Sequence, residues 1–199
     1  MAYSYKVEQA IRAAAVLHKE QLRKGDMPFP YITHLISVAM IVSDYTDDED
    51  VISAAFLHDT LEDTDYTAEE LQEDFGGAVR DMVEALSEPQ RDAGGSAVPW
   101  KKQKNAYAEQ LKDAPQGSLM IAAADKIHNM RAIVEDYFDD HSKFLANFGG
   151  KLDERIEAYQ SIADVLNKRL ESEILEEFNR VFEEYKNFII DVKATREEI

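Results

Sequence analysis

Residues 54–65 read AAFLHDTLEDTD: an apolar run meets His58-Asp59, and Glu62-Asp63 follow one helical turn later. Successive helical residues lie about 100° apart, so His58 and Glu62 share one face and Asp59 and Asp63 the adjacent one. Four polar groups then occupy one quarter of an otherwise apolar helix. Asp63 and Asp65 taken alone fit a solvated helix end, and Asp65 is turn chemistry. His58 and Asp59 fit that reading less well, because both directly follow the apolar ISAAFL. Two more residues have the same character. His34 lies 24 positions before His58 at the start of an apolar helix, and Asp125 stands where the apolar run of MIAAADKIHNM ends. Each alone reads as an ordinary core residue. Together, on three helices, they offer two imidazoles and two carboxylates, a mixed set that suits Mn²⁺, Fe²⁺ or Zn²⁺ and leaves positions for water and substrate. Such an ion lowers the pKa of bound water from about 15.7 toward about 7. Glu62, one turn beyond, can hydrogen-bond that water and take or return its proton.

The stretches RKGDMPFPYITH, AAFLHDTLEDTD and ADKIHNMRAI carry a resemblance. H…HD…D is the signature of the HD-domain metal phosphohydrolases. This version resembles the hydrolase domain of the RelA/SpoT homologue family, with its R-K, P-Y-I-x-H, L-H-D-x-x-E-D-T and A-D-x-x-H-N-M-R motifs in the same order, over roughly residues 10–140. Longer members continue into a synthetase domain with strands, for which this chain has no counterpart, so it resembles a stand-alone small alarmone hydrolase. The resemblance implies removal of the 3′-pyrophosphate of guanosine tetra- or pentaphosphate. It implies His34, His58, Asp59 and Asp125 as ligands of one Mn²⁺, with other divalent ions as alternatives. It gives Glu62 and Asp63 to the attacking water, and Arg23, Lys24 and Asn129 to the nucleotide. Lys104 falls where the family has a basic residue in W-x-x-R-K-x-A-Y, but Gln103 departs from that pattern. The alternatives are a site of the same kind acting on another nucleotide or on NADPH, and a non-catalytic nucleotide-sensing module. The full ligand set argues against the last.

Positive charge gathers near these motifs: Arg23-Lys24 before His34, Lys101, Lys102 and Lys104 after residues 88–99, and Lys126 and Arg131 around Asn129. Lys101 and Lys102 read as solvated surface. Among the other histidines, His18 fits a packing or hydrogen-bonding role, His128 can orient a neighbouring ligand, and His141 reads as exposed. Tyr159 and Trp100 could stack on a base, although aromatics at helical spacing usually pack in cores.

The elements that must position these groups read almost wholly as helix. Apolar spacing predicts a helix over 5–24, a second from near Thr33, a third over 48–62 capped by TDDED, and a capping box at Thr67 and Glu70 before the Gly76-Gly77 stop. AVRDMVEALS, WKKQKNAYAEQLKDA and SLMIAAADKIHNMRAIVEDY follow, then two amphipathic helices over roughly 150–193. The loop 88–99 is a connector or a lid hinged at Gly94-Gly95. The expected fold is all-α: one compact HD-domain helical bundle over residues 1–199, its last helices completing the domain or forming a homodimer face.

With 199 residues and 45% hydrophobic content, the chain can bury a substantial core. No apolar run approaches the roughly 20 residues of a membrane helix, no signal peptide is visible, and there is no cysteine, so disulfides and thiolate chemistry are excluded. A net charge of −18 argues against a nucleic-acid footprint. It does not exclude a small anionic substrate, because a metal and a few cations reverse the local field. A cytoplasmic enzyme or binding protein fits best; the nucleotide substrate is what the resemblance implies.

Overall fold

Helix α1, Tyr5–Leu17, begins where Ser4 caps the Val7 N–H, and it buries Val7, Ala10 and Ala14 on one stripe. The computed structural model describes residues 3–23, 29–89, 96–139 and 152–197. The expected helix over 5–24 therefore stops seven residues early. Its continuation leaves the helix to pair with the segment before the next one: Arg23 N–H donates to Phe29 O and Tyr31 N–H to Gln21 O, both at 2.8 Å. This short ribbon is bridged at Leu22 and Pro30 and brings Arg23 alongside Tyr31, the residue at which the next helix starts.

Helix α2, Ile32–Ser43, buries His34, Leu35, Val38, Ala39 and Val42. Helix α3, Glu49–Leu57, is capped by Asp48, and every residue from Val51 to Leu57 is buried. It is apolar all round because α1, α2 and the later helices over Gly77–Glu84 and Gln116–Asp139 surround it. The expected third helix over 48–62 is broken at His58-Asp59, and Thr60–Asp63 forms the separate single turn α4. The Thr60 hydroxyl donates to Leu57 O at 2.6 Å, and His58 Nδ1 lies 2.8 Å from Ala55 O. Side chains thus satisfy carbonyls at the end of α3 where the ladder is interrupted.

The capping box forms as expected and opens α5, Ala68–Phe75. Gly76, at φ +89°, turns the chain into α6, Gly77–Glu84. Helices α7, Trp100–Leu111, and α8, Gln116–Asp139, follow, and α9, Leu152–Arg169, and α10, Ile174–Glu197, close the sequence of elements. Helix α8 is the spine, packing against α2, α3 and α6 as well as α9 and α10. Ala122, Ala123 and Ala124 are fully buried in it; small side chains let neighbouring backbones approach closely. The fold is all-α, and no helix among the described residues is long and apolar enough to cross a membrane.

Candidate active site

Helix α2 supplies His34, the end of α3 supplies His58 and Asp59, and the middle of α8 supplies Asp125. They meet on the wall of one cavity of 810 Å³. His58 Nε2 lies 3.1 Å from Asp59 Oδ2, and His34 Nε2 lies 3.6 Å from the same oxygen and 3.3 Å from Asp125 Oδ1. One donor atom each from His34, His58 and Asp59 falls within 4.8 Å of the other two. Asp125 is more fully engaged by protein: Lys126 Nζ donates to its Oδ2 at 2.6 Å, and Asn129 Nδ2 donates to its Oδ1.

These donors fit a divalent metal. His58 Nδ1–H donates to Ala55 O, which leaves the Nε2 lone pair directed into the cluster, where it is buried without a hydrogen-bond partner. His34 Nδ1 lies 2.9 Å from His128 Nδ1. Burial and the neighbouring His34 bring His128 down to about 4, so it is neutral and able to accept the Nδ1 proton of His34. His34 Nε2 can then coordinate, and His128 sits in the orienting position anticipated for it.

The charges lead the same way. Burial lowers His34, and it would lower His58, but the Asp59 and Asp125 carboxylates overcome burial there and push His58 up to about 9. Asp59 and Asp125 both stay ionised against burial, Asp59 chiefly through His58 and Asp125 through Lys126. Two carboxylates beside a single lysine attract one further positive charge, which a cation can supply in place of the His58 proton.

Glu62 also faces the cavity. Burial is the main cause that pushes its carboxyl up to about 7, against the Glu88 N–H, which donates to Oε1 at 2.6 Å. A group poised there can gain or lose a proton near neutral pH. Asp63 is more exposed and is held from the other side. His18 Nδ1–H donates to Gln21 Oε1 at 2.6 Å, and Gln21 Nε2 donates to Asp63 Oδ2 at 2.7 Å. His18 stacks on Tyr31 with ring centres 5.3 Å apart, the packing and hydrogen-bonding role expected of it.

Arg23 reaches the site and donates to Asn129 Oδ1 at 2.7 Å, so Asn129 links it to Asp125. Lys104 lines the cavity but is ion-paired to Glu88. Lys126 is buried, with its ammonium 5.1 Å from the centre of the Tyr107 ring. Arg131 does not join the site: it lies on the opposite side of α8 and pairs with Glu177. Lys101 pairs with Glu157 at the surface, and Lys102 is exposed. Tyr159 is buried against Tyr185 and contributes to the cavity wall, as does Trp100. Lys24, Gly94-Gly95 and His141 lie outside the described residues.

Sequence reasoning misses three residues. The Tyr31 hydroxyl donates to Asp59 Oδ2 at 2.7 Å, Gln21 holds Asp63, and Glu88 touches both Glu62 and Lys104. Tyr31 stands in the quoted PYITH stretch, so its signal is present; Gln21 and Glu88 carry none.

The sequence model of the HD domain matches residues 10–146. A Xenopus tropicalis protein named guanosine-3′,5′-bis(diphosphate) 3′-pyrophosphohydrolase MESH1 is 36% identical over 156 residues, covering 71% of this chain and 84% of that one. A probable GTP pyrophosphokinase of Mycobacterium leprae is 38% identical over 128 residues, but the chain spans only 16% of that relative's length. The solved structure of a metazoan ortholog of SpoT that hydrolyzes ppGpp matches with a TM-score of 0.74 over 92% of this chain and 97% of that one, at 24% identity, which shows a shared fold.

Proposed function

The chain belongs to the HD-domain family, and we propose that it hydrolyses the 3′-pyrophosphate of guanosine tetra- and pentaphosphate to GDP or GTP and pyrophosphate. The observation that carries this reading is the meeting of the His34, His58 and Asp59 donors with Asp125, Glu62 and Arg23 around one cavity. The MESH1 relatives, of which the chain covers 84% in Xenopus and 90% in mouse, carry the substrate assignment. We take residues 1–199 as one catalytic unit.

In this reading His34, His58, Asp59 and Asp125 would hold one divalent ion, Mn²⁺ by preference. When bound, that ion acidifies water and offsets negative charge on the phosphoryl oxygens. Glu62 takes the proton of the attacking water as its oxygen bonds to the phosphorus. The ester bond to the ribose 3′ oxygen breaks, and Glu62 returns the proton to that oxygen. Asp63, fixed by Gln21, orients the water. Arg23, kept in place by Asn129, and Lys126 offset the charge of the leaving pyrophosphate, and no covalent nucleophile is needed.

The test is direct. Purified chain incubated with Mn²⁺ and ppGpp releases GDP and pyrophosphate in equal amounts. Absence of turnover, with turnover of another nucleotide or of NADPH, overturns the substrate assignment. His58→Ala loses bound metal, whereas Glu62→Ala keeps metal and loses turnover; a fully active Glu62→Ala removes its role.

A further inference from the structure

Glu88 is an anomaly in a cavity that receives a polyanion. Its side chain is only 8% exposed, on the same wall as Glu62 and Lys104. Lys104 Nζ donates to both of its carboxylate oxygens, at 2.6 and 2.8 Å. The turn that presents Glu88 is pinned by the helix that carries Lys104. Gln110 on α7 donates to Glu84 O at 3.0 Å and Ser87 O at 3.1 Å, and the Ser87 hydroxyl donates to Val83 O at 2.9 Å. Helix α7 thus fixes both the backbone of this turn and its acidic side chain.

We infer that Glu88 is a built-in competitor for Lys104: its carboxylate holds the lysine until a phosphoryl group displaces it, and reclaims the lysine when the product leaves. A half-buried ammonium beside a buried carboxylate keeps an anionic partner, so Lys104 exchanges one such partner for another. A singly charged anion gains nothing over Glu88 in that exchange. A pyrophosphoryl group, with more charge and more acceptor oxygens within reach of one ammonium, does. Residues 84–88 stay anchored through Gln110 during the exchange, so the Glu88 N–H keeps its hold on Glu62 while the carboxylate moves away. The inference shares with the proposed function only the premise that this cavity takes phosphoryl groups.

The chain has one tryptophan, Trp100, whose ring centre lies 6.0 Å from Lys104 Nζ. Its fluorescence therefore reports ligands arriving at the lysine. Inorganic pyrophosphate is titrated into the metal-loaded full chain. Glu88→Gln preserves the backbone N–H to Glu62 and removes the competing charge, so it tightens pyrophosphate at least fivefold and lowers the KM for ppGpp without raising kcat. Lys104→Met weakens pyrophosphate, and adding Glu88→Gln to it changes affinity less than twofold. A Glu88→Gln chain that binds pyrophosphate no more tightly than wild type, or that gains the same factor in the Lys104→Met background, overturns the inference. Should Glu88→Gln fail to fold, Glu88→Asp, which keeps the charge but reaches one methylene less far, tightens pyrophosphate by a smaller factor, and unchanged affinity is equally decisive against it. Pyrophosphate binding needs no turnover, so an inactive chain that still shows the Glu88 effect separates this inference from the substrate assignment.

Discussion

Burial and the Asp59 carboxylate both keep the Tyr31 phenol protonated, so its hydroxyl is a permanent donor to Asp59 Oδ2. The same oxygen faces the His34 and His58 imidazoles at 3.6 and 3.1 Å, so the bond fixes the carboxylate where it meets them. Partners of this kind usually account for a 10- to 100-fold share of metal affinity, so Tyr31→Phe weakens divalent-metal binding by about that factor in a titration, with little change in the melting temperature. Glu62 makes a second prediction, of the opposite kind. With its carboxyl near 7 in the folded chain and near 4.5 when unfolded, it binds its proton more tightly when folded. Its contribution to stability is therefore present below the ordinary carboxylate range and is lost as pH rises through about 7. Glu62→Gln should lower kcat by about 10²- to 10⁴-fold and abolish the activity limb near pH 7. It should also raise stability at pH 8 by on the order of a few kcal/mol, measured by denaturant unfolding of metal-free protein. The candidate ligands are legible in sequence because His and Asp at the ends of apolar runs are rare and demand a reason. Gln21 and Glu88 are not, because their roles arise only when chain segments 26 to 42 residues apart come into contact; Tyr31 stands in a motif, but its bond to Asp59 spans 28 residues and is not written there.

Element boundaries fail where tertiary contacts overrule local preference. Nothing in LHKE or LHDT signals that α1 ends at Leu17 or that α3 ends at Leu57; neither stop has a proline or glycine at the break itself. The first follows from ribbon pairing with residues 29–31, the second from side chains that occupy the last carbonyls of α3. Redirecting the chain at His58-Asp59 also changes the geometry of the motif, since Glu62 and Asp63 now belong to a separate turn held by Glu88 on one side and Gln21 on the other. Where local chemistry does decide, the sequence reads correctly: the Thr67–Glu70 capping box and the Gly76 stop are both present. The two adjacent glycines there make contrasting predictions. Gly76, at φ +89° and ψ 166°, occupies a region essentially closed to other residues, so Gly76→Ala costs about 1–3 kcal/mol, although its new Cβ would meet nothing within 4 Å. Gly77 has the same open surroundings and no positive φ. At the first position of α6, Gly77→Ala is neutral or stabilises by up to about 1 kcal/mol. Thermal unfolding of the two variants should shift in opposite directions, or the second not at all.

At the scale of the whole molecule, the HD-domain match ends at residue 146, yet α9 and α10 are part of what holds the site. Ile162, Leu166, Ile174, Phe178 and Ile189 are fully buried in them, and α10 runs along α8, the helix that carries Asp125 and Asn129. Polar ties add direction. Gln116 at the start of α8 donates to Arg169 O and accepts from the Glu171 N–H. Glu177 accepts from Tyr45 and from Arg131, both at 2.6 Å, and so joins α10 to the end of α2 and to the back of α8. Burial works against the charge of Glu177, but the Tyr45 and Arg131 donors hold its carboxyl below the ordinary range. Its stability contribution is therefore present above that range and lost as pH falls through it, and Glu177→Gln should flatten this acid limb. The larger test is removal of both helices. Each fully buried aliphatic or aromatic side chain contributes about 1.5–3 kcal/mol, so losing five of them, with their partners on α8 newly exposed, is as large as the roughly 5–15 kcal/mol by which a domain is usually stable. A chain ended at residue 151 should show no cooperative unfolding transition and no metal binding, even though it retains every candidate ligand. A sharp transition in that chain, with a divalent metal held as tightly as by the full chain, would mean that α1–α8 form the folding unit and that α9 and α10 only cover it.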